Sequence, residues 1–363
     1  MKSWLVHIQG QVQGVGFRPH VYNLAIKHKI FGSVCNDVDG VHIDVTTTQN
    51  QFESFISELK KNPPSNAIIQ AFSIHEVETK AHNAFNIIES KSTAKPNLIL
   101  TPDLGICRSC KNELYDRRNK RGNYAFTTCL ECGPRYSIIQ KLPYDRENTT
   151  MCSFKMCPEC EQEYNNPMDK RFYSQTNSCP NCAVELVWKD FSNDIITDQG
   201  IMIHQCVDKL NDGYIIAVKG IGGYLLMADA TNESAILNLR KRKHRPTKPF
   251  ALIYPNVELL KEDVDTTDKE IQEWLSIESP IVLFQLKNEP KNNIKTELIA
   301  PGLNKIGVMQ PYAPILDLIS NTFNKPLIAT SGNTSGYPIF YNDNEALEKL
   351  AAIADVFLAN DRD

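Results

Sequence analysis

Over residues 1–90, stretches in which apolar and polar residues alternate are interrupted by two stretches with apolar residues at helical spacing. The alternation has a period of two and predicts strands, whereas the helical spacing predicts amphipathic helices. In chain order, the predicted elements are the strand WLVHIQ, the helix FRPHVYNLAIKHKI, the strands FGSVCNDV and VHIDVTT, the helix NQFESFISELKKN and the strands AFSIHEVET and AFNIIES. This order predicts a small α+β domain over residues 1–90, with helices on one face of an antiparallel sheet, followed by a linker over residues 91–104.

From about residue 190 onwards, apolar strand-like runs alternate with helical segments. GYIIAVKG, PIVLFQL and PLIATSGN have the apolar character of buried strands, and ESAILNLRKRKH has helical spacing. The alternation predicts an α/β domain over residues 189–363. The last residues, FLANDRD, follow an apolar strand-like run without a closing element, so we expect this domain to be truncated at its C-terminal end.

Residues 105–188 contain a sequence repeat with an offset of fifty residues, built around cysteine pairs. Each copy has the spacing Cys-x2-Cys-x18-Cys-x2-Cys, and the eight cysteines are Cys107, Cys110, Cys129, Cys132, Cys157, Cys160, Cys179 and Cys182. Two such pairs supply the four thiolates of a tetrahedral site, so the repeat predicts two structural Zn2+ ions. A redox role would instead require one pair at the start of a helix in a thioredoxin-like unit. The pairs combine either within each repeat or in a nested arrangement, first with fourth and second with third.

Composition and charge favour a globular protein and disfavour a general nucleic-acid-binding protein. The 363 residues are 42% hydrophobic and 23% charged, which is typical of globular domains, and the net charge of −4 disfavours general nucleic-acid binding. The sequence contains no run of eighteen apolar residues and no apolar signal region near residue 1, so we expect a cytoplasmic protein without a membrane span. Thiols stay reduced in the cytoplasm, which also favours metal over disulfides for the cysteine pairs.

The segment GQVQGVGFRP, residues 10–19, lies between the first predicted strand and the first predicted helix. Glycines at such a turn allow backbone N–H groups to surround one point, and the start of a helix adds a partial positive charge. The segment therefore favours an anion site. A plain glycine turn is the alternative, because the standard dinucleotide and Walker patterns are both absent.

The segment LRKRKHRPTKP, residues 239–249, has six Lys or Arg residues and no acidic residue. Pro246 and Pro249 stiffen its exit from the predicted helix, and the loop ATSGNTSGYP follows an apolar strand that we place in the same sheet. Cations opposite Ser and Asn donors at strand ends suit a nucleotide triphosphate. A solvated basic surface is the alternative interpretation.

These segments resemble two known families. Residues 1–90 resemble the acylphosphatases, whose pattern Gly-x-Val-Gln-Gly-Val-x-Phe-Arg is matched from Gly10 to Arg18 and whose asparagine falls on Asn36 in VCNDVDG. Residues 190–363 resemble YrdC-like domains. The Lys-x-Arg and Ser-x-Asn motifs of that family fall on Lys243, Arg245, Ser331 and Asn333. The resemblance implies a ferredoxin-like fold for the first domain and a twisted mixed sheet for the last.

The order of acylphosphatase, doubled four-cysteine unit and YrdC-like domain resembles the N-terminal part of HypF, a family of carbamoyltransferases in nickel–iron hydrogenase maturation. KGIGGYLLMADATN, RKRKHRPTKPFAL, APGLNKIGVMQPYAPI and SGNTSGYPI are typical of that family. Two departures stand out. Leu225 occupies a position where the family is expected to have histidine, and the family's large C-terminal transfer domain lies outside this sequence.

The resemblance also implies roles for individual residues. Arg18 and Asn36 would catalyse hydrolysis of carbamoyl phosphate, and Lys243, Arg245, Ser331 and Asn333 would bind ATP phosphates or carbamate, with Mg2+ on the triphosphate. The product would be carbamoyl-adenylate, and the carbamoyl group would then pass to the C-terminal cysteine of HypE through the transfer domain. The phosphate-binding loop would comprise Gln13, Gly14, Val15, Gly16, Phe17 and Arg18.

Two other functions fit parts of the sequence. A threonylcarbamoyl-adenylate synthase of tRNA modification would use the YrdC-like part, but its reaction starts from bicarbonate and threonine and does not need an acylphosphatase. An RNA- or protein-binding module would use the cysteine repeat and cations such as those in DRRNKR. The net charge and the glycine-rich loop disfavour this third interpretation.

Overall fold

The computed structural model describes residues 1–182, 184–190 and 196–362. The strands are β1 (Lys2–Gln11), β2 (Phe31–Asp37), β3 (Gly40–Thr47), β4 (Ile68–Val77), β5 (Phe85–Ile87), β6 (Leu186–Lys189), β7 (Ile216–Lys219), β8 (Tyr224–Asp229), β9 (Ala251–Ile253), β10 (Val264–Asp265), β11 (Val282–Leu286), β12 (Lys305–Met309), β13 (Leu327–Ser331) and β14 (Val356–Asn360). The helices are α1 (Phe17–Lys27), α2 (Gln49–Lys61), α3 (Arg108–Tyr115), α4 (Pro158–Asn165), α5 (Gln199–Asn211), α6 (Glu233–Arg242), α7 (Val257–Asp263), α8 (Asp268–Trp274), α9 (Thr296–Ile299), α10 (Pro314–Phe323) and α11 (Asp343–Leu350). Within these described ranges, none of the helices combines the length and apolar character that crossing a membrane requires.

The chain forms two compact units, and each is assembled from two separate stretches of sequence. The first unit comprises residues 1–103 and 128–182, and the second comprises residues 104–127 and 183–363. The first unit therefore contains the glycine-rich loop, and the second contains both the basic segment and the Ser-Gly-Asn loop.

The sheet of the first unit has the strand order β4-β1-β3-β2-β5 in the described part of the chain. The elements β1-α1-β2-β3-α2-β4 with this order form a ferredoxin-like arrangement, which confirms the predicted fold of this part. Both helices pack on the sheet, and the amphipathic helix α2 buries Phe52, Phe55, Ile56 and Leu59 in the core. The sheet is not purely antiparallel as predicted, because the chain crosses over after β4 and β5 runs parallel to β2.

The second unit contains a mixed sheet with the order β10-β11-β12-β9-β13-β8-β7-β14-β6 among its described residues. The pairs β9–β12 and β7–β14 are parallel, and the other neighbours are antiparallel. This confirms the predicted mixed sheet. The pairing of β8 with β13 brings the GGY segment beside the strand that ends in the Ser-Gly-Asn loop.

The cysteine repeat is also a structural repeat. Helices α3 and α4 begin fifty residues apart, each directly after the first cysteine of its repeat, and the sequence analysis did not predict them. The sulfur atoms form two four-cysteine clusters, and the grouping is within each repeat rather than nested: Cys107, Cys110, Cys129 and Cys132 in one, and Cys157, Cys160, Cys179 and Cys182 in the other.

The spacing of the sulfur atoms suits zinc. The Sγ atom of Cys179 lies 3.7 Å from those of Cys157 and Cys182, and the Sγ atoms of Cys129 and Cys132 are 3.7 Å apart. Thiolates bound at about 2.3 Å in a tetrahedron are separated by about 3.8 Å. Burial disfavours ionisation of the Cys157 thiol, but hydrogen bonds from Cys160 and the neighbouring thiols outweigh it and lower its pKa to about 7.

Replacing one cluster cysteine tests the structural role of the metal. We expect Cys160→Ser to reduce the zinc content from about two ions per chain to about one and to lower Tm by on the order of 10 °C, because metal binding supplies folding free energy in small units. Metal analysis and thermal unfolding measure both effects. Cys152→Ser is the matched control, because Cys152 is exposed and lies outside both clusters. Unchanged zinc content in Cys160→Ser would contradict the assignment.

Candidate functional sites

The loop between β1 and α1 turns through two glycines in the left-handed region. Gly14 has φ 71° and Gly16 has φ 74°, conformations that side chains with a Cβ rarely adopt. Gly14 also packs tightly, since an added Cβ would lie 3.0 Å from Cδ of Arg135. Gly16 is the N-cap of α1, and among the described residues no side chain caps this helix. The N–H groups of its first turn are therefore directed towards the loop, as in an anion site.

Arg18, on the first turn of α1, is almost completely buried, with 7% of its surface exposed. Its Nη2 donates to Oδ1 of Asp145 at 2.7 Å and, more weakly, to the carbonyl oxygen of Tyr144 at 3.4 Å. Its Nη1 donates to Oγ of Ser90 at 3.2 Å. The guanidinium lies 5.9 Å from the ring centre of Tyr173. The carboxylate of Asp145 is thus paired with the guanidinium group that would bind an anionic ligand.

Asn36, on β2, is 1% exposed and lies at the same place. Its Nδ2 donates to the carbonyl oxygen of Tyr144 at 3.3 Å, so Asn36 and Arg18 converge on one carbonyl group. Its Oδ1 is buried and has no hydrogen-bond partner within the described parts of the chain. An unpaired buried acceptor is costly, and its position beside Arg18 makes it available to a water molecule or ligand.

Gln13 anchors this region to the protein rather than facing a ligand with its side chain. Its Nε2 donates to the carbonyl oxygens of Asp37 at 2.6 Å and Gly40 at 2.9 Å, and its Oε1 accepts from the backbone N–H of Tyr144 at 2.9 Å. The side chain therefore connects the glycine-rich loop to the β2–β3 turn and to the segment that covers Arg18. Its backbone N–H remains part of the predicted phosphate-binding loop.

Arg135 is a site residue that the sequence analysis missed. It is buried, its Nε donates to the carbonyl oxygen of Gly14, and its Nη atoms donate to the carbonyl oxygens of Cys129, Leu130, Cys132 and Pro134 at 2.8–3.1 Å. The backbone of the Cys129–Cys132 pair therefore supports the glycine-rich loop. The only sequence signal is its place directly after a cysteine pair, in CGPR.

The space around Arg18 is divided in two. A cavity of about 20 Å³, enough for one water molecule, is lined by the glycine-rich loop, Asn36 and Arg135. A cleft of about 900 Å³ is lined by Arg18, Asp145, Lys155 and Tyr173 among others. Arg18 borders both spaces, whereas Tyr144 lines the small cavity and Asp145 lines the cleft.

The second candidate site is in the YrdC-like part, where the structure brings Lys243, Ser331 and Asn333 together. Nζ of Lys243 donates to the carbonyl oxygens of Ser331 at 2.6 Å and Asn333 at 2.8 Å, and to Oδ1 of Asn333 at 2.8 Å. Oγ of Ser331 and Oδ1 of Asn333 are also 2.8 Å apart. Burial, together with the positive charges of Arg245 and Lys248, lowers the pKa of Lys243 to about 8.

Arg245 does not join these three residues through its described contacts. Its guanidinium donates to the carbonyl oxygens of Lys248 at 3.2 Å and Pro249 at 2.5 Å and lies 5.2 Å from the ring centre of Phe250. Arg245 therefore holds the TKP turn of its own segment. A bound anion would have to draw it away from that turn.

A further polar cluster lies next to the Ser-Gly-Asn loop and was not found from the sequence. Nζ of Lys219 is 2.8 Å from Oδ1 of Asp343, and the hydroxyl of Tyr224 donates to the same oxygen at 2.8 Å. The carbonyl oxygen of Tyr224 accepts from the N–H of Gly332 at 2.7 Å. Leu225, where the family resemblance led us to expect histidine, pairs with Ser331 across β8 and β13. Lys219 and Tyr224 lie in the segment KGIGGYLLMADATN that the sequence analysis had singled out, whereas Asp343 lies outside the singled-out segments.

All three parts of the chain match known protein families. Residues 4–87 match the acylphosphatase family, residues 106–139 and 156–188 match the HypF finger, and residues 208–363 match the Sua5–YciO–YrdC family, which carries the description "Telomere recombination". The two finger matches contain all eight cluster cysteines.

Individual proteins are similar to this chain over its full length. Carbamoyltransferase HypF of Rhodobacter capsulatus is 39% identical over 363 residues and that of Synechocystis sp. is 40% identical over 362 residues, with 100% of this chain and 47% of each relative covered. The crystal structure of full-length HypF in the phosphate- and nucleotide-bound form has a TM-score of 0.94 at 41% identity and is likewise matched over 47% of its chain. The threonylcarbamoyl-AMP synthase of Aliivibrio fischeri is 30% identical, but the match covers only 37% of this chain.

The chain thus spans about half the length of the curated HypF relatives that it matches, and the match extends over its full length. The order of domains, the cysteine clusters and the identity of about 40% all agree. Over its full length the chain is similar to the HypF carbamoyltransferases, and it matches in turn the acylphosphatase, HypF-finger and Sua5–YciO–YrdC families.

Proposed function

We propose that the first unit hydrolyses carbamoyl phosphate at the glycine-rich loop and that the YrdC-type part uses the carbamate with ATP to form carbamoyl-adenylate. The observation that carries the proposal is the convergence of buried Arg18 and Asn36 on one carbonyl group at the start of α1. A positive charge, a free amide acceptor and the N–H groups of a helix start are the groups needed to bind a phosphate and orient a water molecule.

In the hydrolysis step, the phosphate oxygens accept from the backbone N–H groups of residues 13–18 and from the guanidinium of Arg18. Oδ1 of Asn36 accepts a hydrogen bond from the attacking water and aims its oxygen at phosphorus. Water adds to phosphorus as the bond from phosphorus to the carbamoyl oxygen breaks, giving phosphate and carbamate with release of one proton. The reaction needs no nucleophilic side chain, because phosphoryl transfer depends on positioning and charge stabilisation.

In the second step, a carbamate oxygen attacks the α-phosphorus of ATP and pyrophosphate leaves, so that carbamoyl-adenylate forms. Lys243 joins the basic segment to the Ser-Gly-Asn loop, and with Arg245, Ser331 and Asn333 it supplies charge and polar groups for the triphosphate and carbamate. Mg2+ would accompany the triphosphate, as it usually does, by binding phosphate oxygens.

The carbamoyl group would then pass to the C-terminal cysteine of the acceptor protein HypE, a step that involves the part of the family outside this chain. We infer a cytoplasmic setting, because the two four-cysteine clusters require reduced thiols for metal binding.

Arg18→Ala tests the first step. We expect phosphate release from carbamoyl phosphate to fall at least about 1,000-fold, because the variant loses the guanidinium that would bind the phosphate and stabilise the transition state. A colorimetric phosphate assay measures the rate, and circular dichroism checks the fold. Arg118→Ala, which removes an arginine with a side chain 93% exposed, is the control. Normal turnover in Arg18→Ala would exclude this site.

Asp145→Asn tests whether a phosphate must displace the carboxylate that now pairs with Arg18. Removing this negative charge should lower KM for carbamoyl phosphate by about fivefold, because the anion no longer competes with a carboxylate for the guanidinium. Glu53→Gln, which removes an exposed carboxylate of α2 elsewhere in the same unit, serves as the control for a lost charge. An increase in KM with unchanged kcat would mean instead that Asp145 orients Arg18 for the substrate.

Lys243→Ala tests the second step. We expect it to abolish ATP–pyrophosphate exchange that depends on carbamoyl phosphate, while phosphate release from carbamoyl phosphate continues. In the unmodified chain, exchange should decline as the pH rises through about 8, because Lys243 then loses its proton and its charge. Lys241→Ala removes an exposed lysine of the same helix and should leave exchange unchanged.

The same exchange assay separates the proposal from its rival. Exchange that requires bicarbonate and threonine, with no response to carbamoyl phosphate, would assign the YrdC-type part to threonylcarbamoyl-adenylate synthesis. Exchange that requires carbamoyl phosphate supports the carbamoyl-adenylate step.

A further inference from the structure

Two histidines and an aspartate that take no part in the proposed reaction steps meet on the first sheet. His7 on β1 and His42 on β3 are directly opposite each other in the antiparallel register. Their rings stack with centroids 4.2 Å apart, and Asp39 enters from the β2–β3 turn. Strand pairing thus brings His7 next to Asp39 and His42, which lie 32 and 35 positions further along the chain.

The ligand atoms of this trio already point to one place. Nε2 of His42 lies 2.8 Å from Oδ1 of Asp39, and Nε2 of His7 lies 3.3 Å from Oδ2 of Asp39. One ligand atom from each residue can be chosen so that all three lie within 4.8 Å of one another. Ligands bound at about 2.1 Å in a tetrahedron are about 3.4 Å apart, so the trio needs only small shifts to hold an ion.

We propose that His7, Asp39 and His42 form a third metal site, for a divalent transition metal such as Zn2+, separate from the two cysteine clusters. Two imidazoles and a carboxylate are a common ligand set for such ions and leave a fourth position for water. The side chains are 23%, 17% and 39% exposed, so an ion can reach them from solvent without unfolding the sheet.

The site would act on the β2–β3 turn. Asp39 lies in that turn, and the same turn provides the carbonyl oxygens of Asp37 and Gly40 that accept from Gln13 of the glycine-rich loop. An ion that holds Asp39 to two strands would reduce the motion of this turn. The proposal concerns binding to residues of the sheet, and its outcome is independent of the proposed function.

Zinc titration of the whole chain tests the site. The protein is first analysed for zinc after dialysis against a weak chelator, and Zn2+ is then added in a calorimeter. We expect one further equivalent to bind to the unmodified chain, and this equivalent to be lost in both His42→Gln and Asp39→Asn while the starting zinc content is unchanged. His75→Gln, an exposed histidine on the neighbouring strand β4, is the matched control and should retain the equivalent.

Hydrogen exchange supplies a second measurement. Zn2+ should slow amide exchange in residues 37–41 of the unmodified chain and have no such effect in Asp39→Asn. Thermal unfolding without added metal checks that each variant is folded. The absence of a further equivalent in the unmodified chain, or its persistence in both variants, would overturn the proposal and leave the trio as a histidine–aspartate ion-pair cluster.

Discussion

The burial of the Arg18 guanidinium is the constraint on which the first site depends. A buried charge without partners costs several kcal/mol, so the fold has to supply acceptors around it. It does so with Asp145, the carbonyl oxygen of Tyr144 and Ser90. Asp145 and Tyr144 come from outside the acylphosphatase-like residues 1–90, and Gln13 fixes the Tyr144 backbone in place. Residues 144 and 145 therefore help to neutralise and hold the Arg18 guanidinium.

The cysteine repeat contributes to the same site through its backbone. A four-cysteine unit has too few apolar residues for a core, and a bound metal replaces that core. The carbonyl groups around the Cys129–Cys132 pair accept from Arg135, whose Nε donates to Gly14 of the glycine-rich loop. A metal that orders this pair would thus also support the conformation of the loop.

The second candidate site also contains a buried cation, Lys243, whose hydrogen bonds hold a polar loop. The three N–H donors of the charged Lys243 side chain have three acceptors, all on Ser331 and Asn333. This pairing fixes the Ser-Gly-Asn loop against the end of α6. Arg245, two residues further on, instead holds the TKP turn by bonding to backbone carbonyls. Neighbouring cations of one basic segment thus have different structural roles.

The sequence by itself determined the elements that depend on local pattern. The alternation in β1 to β3, the amphipathic helix α2 and the glycines of the loop follow from side-chain period and backbone freedom, which neighbouring residues alone dictate. The cysteine spacing likewise predicted two four-thiolate sites, because ligand number and spacing are local properties. The motifs around Arg18, Asn36, Lys243 and Ser331 identified the candidate sites.

Only the tertiary structure decided which partners those residues have. The contact of Arg18 with Asp145 joins residues 127 positions apart, and that of Lys243 with Asn333 joins residues 90 positions apart. Three other features depend in the same way on how strands and loops pack. They are the role of Arg135, the grouping of cysteines within each repeat and the contact of His7 with Asp39 and His42. Such long-range contacts are set by the free energy of the whole fold, in which the burial of each charge has to be balanced by groups that no local pattern specifies.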